Sequence, residues 1–162
     1  MIVASEAAGA VFTMASKFRY VDDVSRAKEI VDSGILGDIL LLENSFTGHV
    51  DMSQRWNSRP EISGGGVLID NGTHSADIIR YVMGPLATLQ VVDNGRVCGG
   101  TESDVMGSID LSWSMNKQLP NFISIYGTKG TLLVGWKESK FRCEGDADWT
   151  VFGSGYDKVQ AF

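Results

Sequence analysis

The second half of the chain alternates. In "DVMGSIDLSWS", residues 104–114, Val105, Ile109, Leu111 and Trp113 fall on one side of an extended chain, with Ser108, Asp110 and Ser112 on the other. A two-residue period belongs to a strand with one covered face. "ATLQVVD" (87–93), "NFISIYG" (121–127), "GTLLVGWK" (130–137) and "DWTVFG" (148–153) continue in the same style, with "GTKG" at 127–130 as a tight turn. Runs of short strands after a helix predict an α+β fold. It would be a mainly antiparallel open sheet with helices packed on one face.

The first half supplies those helices. "DDVSRAKEIVDSG" (22–34) predicts a helix capped by Asp22 or Asp23, with Val24, Ala27 and Val31 along one side and Gly34 as its left-handed stop. "GDILLLENSFTG" (37–48) reads as a strand. Upstream, "IVASEAAGAVFTMASKFRY" (2–20) reads as the tail of a helix, a stop at Gly9 and a buried strand over residues 11–15. Such a strand needs partners that are not evident nearby. Residues 49–63, "HVDMSQRWNSRPEIS", have no period and predict a long polar loop of the kind that often carries function. The end of the chain, from residue 153, shows no capping element, so further structure is expected beyond it.

Composition narrows the classes. With 162 residues, 43% apolar and 21% charged, the chain can form one core without metal or disulfide staples. Its 14 basic and 20 acidic residues give a net charge of −6, against nucleic-acid binding, which needs phosphate-neutralising cations. Cys98 and Cys143 lack metal-ligand spacing and read as reduced thiols. The first cation is Lys17, so no signal peptide is expected, and apolar runs such as "ILLL" (39–42) are too short to span a bilayer. A cytoplasmic location is the expectation, with no nucleic acid and no membrane as partner.

"SGGGVLIDNGTHSADIIRYVMG", residues 63–84, carries the chemistry. As a helix stopped at Gly84-Pro85 it sets Asp70, His74, Asp77 and Tyr81 along one stripe, with Ile78, Ile79 and Val82 beside it for packing. Such a polar stripe suits a cleft, because burial without partners is costly. His74 is the natural proton handler, and a carboxylate one turn away can orient the ring and favour its charged form. Gly72 would let a ligand approach the backbone. A surface ion pair remains the plain alternative for Asp70 and His74. No metal site is expected, since His49 has no fixed geometry to His74. For Trp56, a loop anchor and a substrate contact stand side by side. The glycines do not form the G-x-G-x-x-G of a dinucleotide loop, and the phosphate-binding loop with its Lys-Ser/Thr is absent too.

The segment resembles the signature of the Gfo/Idh/MocA family of NAD(P)-dependent oxidoreductases: Gly-Gly-Gly, then Asp-x-Gly-x-His-x-x-Asp, matched by Asp70, Gly72, His74 and Asp77. "SKFRY" (16–20), "GILGDI" (34–39) and "IYGTKGTLLV" (125–134) resemble further family segments in order and spacing. The resemblance implies that residues 1–20 are a remnant of a dinucleotide-binding domain and that 21–162 form a C-terminal substrate-binding and dimerisation domain. It implies NAD or NADP as the cofactor of the full-length family. None is expected to bind this chain alone, which lacks the glycine-rich loop and the family's Glu-Lys-Pro segment. By resemblance, His74 would take a proton from a substrate hydroxyl as hydride leaves for the nicotinamide, and Asp70 would hydrogen-bond substrate or tune the histidine. Trp56, Thr73 and Asp77 would contact a sugar, cyclitol or related polyol, and Lys17 and Arg19 would lie near the cofactor's edge of the cleft. The isolated chain would then be the inactive substrate half of an oxidoreductase, a homo-oligomer through the open sheet face. A non-catalytic binding or oligomerisation module that dimerises through its sheet is the second reading.

Overall fold

The structure, a computed structural model, describes residues 1–92, 96–101 and 105–156. In chain order it contains α1 (Ile2–Ala7), a 3-10 turn (Lys17–Tyr20), α2 (Asp22–Asp32), β1 (Ile39–Thr47), a second 3-10 turn (Trp56–Ser58), α3 (Pro60–Ser63), α4 (Val67–Asp70) and α5 (Gly72–Met83). Strands follow: β2 (Leu86–Val92), β3 (Arg96–Thr101), β4 (Met106–Ser112), β5 (Asn121–Gly127), β6 (Gly130–Gly135), β7 (Ser139–Cys143) and β8 (Thr150–Gly153).

All eight strands join one sheet in the order β2-β3-β4-β1-β5-β6-β7-β8. β1 is the crossover. It enters between β4 and β5, pairing parallel with β4 and antiparallel with β5, while every other pairing is antiparallel. β1 is a central strand whose burial alternates, with Leu42 buried against the helices and Leu40 55% exposed. α2 packs on β6 and β8, and α5 packs on β1 and β4. The predicted α+β architecture is the one found.

The core lies between those helices and one face of the sheet. Val24 and Ala27 of α2 and Ile78, Ile79 and Val82 of α5 meet Leu42, Ile109, Leu111, Ile125, Leu132 and Val134. The opposite face follows from register. One row crosses Ser108, Glu43, Ser124, Leu133 and Lys140, and its neighbour crosses Met106, Leu41, Tyr126, Thr131 and Arg142.

Several expectations change. Residues 10–16 form no strand, and Val11 is 97% exposed, because no strand of the sheet lies beside them. α2 begins after Val21, and neither Asp22 nor Asp23 caps it. Asp23 is buried and accepts a hydrogen bond from the Gly155 amide instead (2.7 Å), while Arg26 donates to the Phe152 carbonyl. The loop at 49–63 contains two single turns, α3 starting on Pro60 at a position where its missing N–H costs nothing. The signature helix is two helices, α4 and α5, joined at Asn71. β3 and β7 were not foreseen. "RVCGGT" carries two glycines and "SKFRC" is short, so neither shows a usable period. Cys143 is a free thiol, and the side chain of Cys98 falls outside the described residues.

Candidate functional site

The 3-10 turn Lys17–Tyr20 lies across α5 and divides the stripe foreseen along it. At one end Phe18 sets its ring edge-on to His74, with centroids 5.3 Å apart. At the other, Arg19 grips Asp77 through one guanidinium edge, its Nε donating to Oδ2 at 3.1 Å and its Nη2 to Oδ1, and covers the Tyr81 ring at 5.3 Å. The ion pair holds Arg19 above its ordinary pKa. Adjacent residues of one turn thus serve two separate places.

His74 opens onto a cleft of ≈430 Å³. Lys17 and Asp70 share its wall, together with Arg55, Asn57 and Asn71. The floor is aromatic. Phe18 lies 5.0 Å from Phe46 and 5.5 Å from Tyr156, and Trp136 packs edge-on to Tyr156 at 5.8 Å. Trp113, one residue beyond β4, lines the same space. Tyr156 follows Gly155, whose amide donates to Asp23, so a charged residue at the start of α2 helps build the cleft.

The electrostatics of His74 reverse one expectation. Burial lowers its pKa below the ordinary 6.5, and Lys17 lowers it further, against weaker upward pulls from Asp70 and Asp77. The carboxylates do not win, so the ring is held neutral, the state that accepts a proton. Lys17 Nζ stands 5.2 Å from the Phe18 ring and 5.9 Å from that of Tyr156, a cation on an aromatic bed.

The foreseen residues therefore separate. Lys17, Asp70 and His74 share the cleft. Thr73, Asp77 and Arg19 line a neighbouring groove of ≈760 Å³. Trp56 is 62% exposed and lines neither, while its neighbour Asn57 turns inward, only 9% exposed. The Oδ1 of Asn57 has no hydrogen-bond partner among the described residues. A buried acceptor left so costs about 1–3 kcal/mol. Asn57, Trp113, Trp136 and Tyr156 were not singled out from sequence as site residues, since none sits in a spaced motif. Gly72 also has a different role: a Cβ there would meet Leu68 at 3.0 Å and Leu111 at 3.4 Å, so its bareness seats α5 on the sheet. Among the described residues, no three His, Cys, Asp or Glu side chains converge as metal ligands, and no helix is long and apolar enough to cross a membrane.

Comparison with known proteins gives a consistent picture. Residues 24–133 match the family described as the GFO/IDH/MocA C-terminal domain. The 2,7-anhydro-N-acetylneuraminate hydratase of Escherichia coli (strain K12) is 22% identical over 156 residues, which cover 86% of this chain and 41% of the hydratase. The D-xylose 1-dehydrogenase (NADP(+)) of Haloarcula marismortui is 26% identical over 127 residues, 68% of this chain and 35% of the dehydrogenase. Levoglucosan dehydrogenase in complex with NADH superposes at a TM-score of 0.73 and 19% identity, over 90% of this chain and 48% of that one. An oxidoreductase from Agrobacterium radiobacter in complex with NAD+, L-tartaric acid and magnesium gives 0.74 and 18%, over 99% and 51%. The chain spans less than half the length of either curated relative.

Proposed function

The chain belongs to the GFO/IDH/MocA C-terminal domain family, and from that premise we propose that it is the substrate-holding half of an NAD(P)-dependent oxidoreductase acting on a sugar or related polyol. The observation that carries the reading is the place of the His74 imidazole, packed edge-on to Phe18 on the wall of a cleft with an aromatic floor and a few polar groups. A polyol presents apolar C–H faces to such rings and hydroxyls to the wall. His74 accepts the proton of the hydroxyl being oxidised. Lys17 favours the neutral ring before the event, and Asp70, half-buried at the cleft wall, stabilises the imidazolium after it.

The residues of this chain do not fit the dinucleotide. A pyrophosphate is held at a helix N-terminus reached through a glycine-rich turn from a parallel strand, and among the described residues the single parallel pair, β1 with β4, is not joined by such a unit. On this reading hydride transfer needs a cofactor held by another domain. The names of the relatives, a hydratase and sugar dehydrogenases, favour carbohydrate as the substrate class. The uncovered sheet face, with Leu41, Tyr126 and Leu133 across its middle, is where two copies of the chain would pair.

The test is a titration of the 15N-labelled chain with levoglucosan and D-xylose, following the His74 imidazole by NMR. Saturable movement of that signal supports the reading, and movement spread over unrelated residues, or none, overturns it. NADH added to the same sample should leave its own fluorescence unchanged. Saturable enhancement would overturn the assignment of the cofactor to another domain.

A further inference from the structure

The cleft runs against the charge of the chain. Acidic residues outnumber basic ones 20 to 14 over the whole sequence, but the cleft wall carries Lys17 and Arg55 against the single carboxylate of Asp70. We propose that Lys17, supported by the exposed Arg55, receives a carboxylate carried by the polyol, so that the substrate is an anionic sugar rather than a neutral one. This rests on the functional reading above and adds to it the charge of the substrate.

Three observations converge. The Lys17 ammonium stands 5.2 Å from the Phe18 ring and 5.9 Å from the Tyr156 ring, and both rings line the cleft. Those contacts place the charged end of the side chain, and not only its backbone, at the cleft. Lys17 and Arg55 are also unpaired: among the described residues no carboxylate lies within ion-pair reach of either, Asp70 of the same cleft included. Finally, Lys17 is half-buried, so solvent screens its charge less than that of a surface lysine. Ring faces attract a cation but offer no lone pair, which leaves the three N–H donors of the ammonium for a ligand. A hydroxyl would supply an acceptor alone, whereas a carboxylate supplies acceptor and countercharge together, and such charge-assisted bonds are the stronger. The excess of two cations over one carboxylate is a single positive charge. A monoanion cancels it, and a phosphate dianion overshoots it.

The experiment compares sugar acids with their neutral amides, which keep nearly the same shape. D-glucuronate with D-glucuronamide, and D-gluconate with D-gluconamide, are titrated into the whole chain at pH 8 and low salt. At that pH His74, held below 6.5, adds no charge of its own. 1H–15N spectra report both affinity and fold. In wild type, one acid should bind at least about tenfold more tightly than its amide. Lys17→Met should bring that ratio below about twofold, with the amide affinity little changed, and Lys17→Arg should keep most of it. If Met disturbs the fold, Lys17→Gln completes the comparison. Because the chain as a whole is acidic, its long-range field cannot produce the preference. Equal binding of acid and amide, or a preference that survives in the uncharged variants, overturns the inference. So does tighter binding of D-glucose 6-phosphate than of either acid. A wild-type chain silent to all these ligands, and to levoglucosan and D-xylose, removes the functional reading and this inference with it. Neutral sugars that bind at His74 with no advantage for the acids remove the inference alone.

Discussion

At the scale of single residues, His74 shows how packing overrides chemical expectation. An imidazole with carboxylates at positions 70 and 77 would be read as favouring its charged form, yet burial between Phe18 and the helix, aided by Lys17, favours the neutral one. The sign of the pH dependence follows. Below 6.5 the unfolded chain takes up a proton that the folded chain resists, so stability is full above that value and falls as pH drops through it toward the folded pKa. Urea unfolding at pH 7.5 and at pH 5 should show this loss in wild type, and His74→Gln should reduce the difference. Because Lys17 contributes to the lowering, Lys17→Met should raise the His74 pKa in an NMR titration. An unchanged midpoint would mean that burial acts alone.

At the scale of elements, the turn carrying Lys17, Phe18 and Arg19 links α5 to the chain's beginning. The Arg19–Asp77 pair is partly exposed, so solvent screening limits its worth. Asp77→Ala should cost roughly 1 kcal/mol in urea unfolding, and the loss should shrink in high salt. The β5–β6 turn makes a tighter demand. Thr128 and Lys129 bond back to the backbone of Asp38 and Leu36, and a Cβ at Gly127 would stand 2.2 Å from the Leu36 carbonyl oxygen. Gly127→Ala should therefore destabilise by about 1–3 kcal/mol through a forced backbone shift. A neutral result by thermal unfolding would mean that the loop after α2 yields freely.

At the scale of the whole molecule, one sheet face is covered by α2, α4 and α5, and among the described residues no helix packs on the other. The uncovered face mixes charges such as Glu43 and Lys140 with Leu41, Leu133, Tyr126 and Met106, the last 64% exposed. If two copies pair there, sedimentation should show a concentration-dependent dimer, and Leu41→Lys with Tyr126→Lys should return the monomer while circular dichroism stays unchanged. A wild-type chain that remains monomeric at all concentrations would remove the proposed pairing.

Local order was legible in the residues themselves. The alternation from Val105 to Trp113 announced a strand with one covered face, Gly34 (φ 73°) and Gly84 (φ 84°) ended their helices where a side chain would be strained, and the spacing of Ile78, Ile79 and Val82 marked the packing side of α5. These are short-range effects, decided by backbone sterics and by which way neighbouring side chains point. The insertion of β1 between β4 and β5, the division of the Asp70–Tyr81 stripe by the turn at Phe18, and the inward turn of Asn57 beside an outward Trp56 belong to the tertiary structure. Each depends on contacts between segments far apart in the chain, whose competition for the same core no local pattern records.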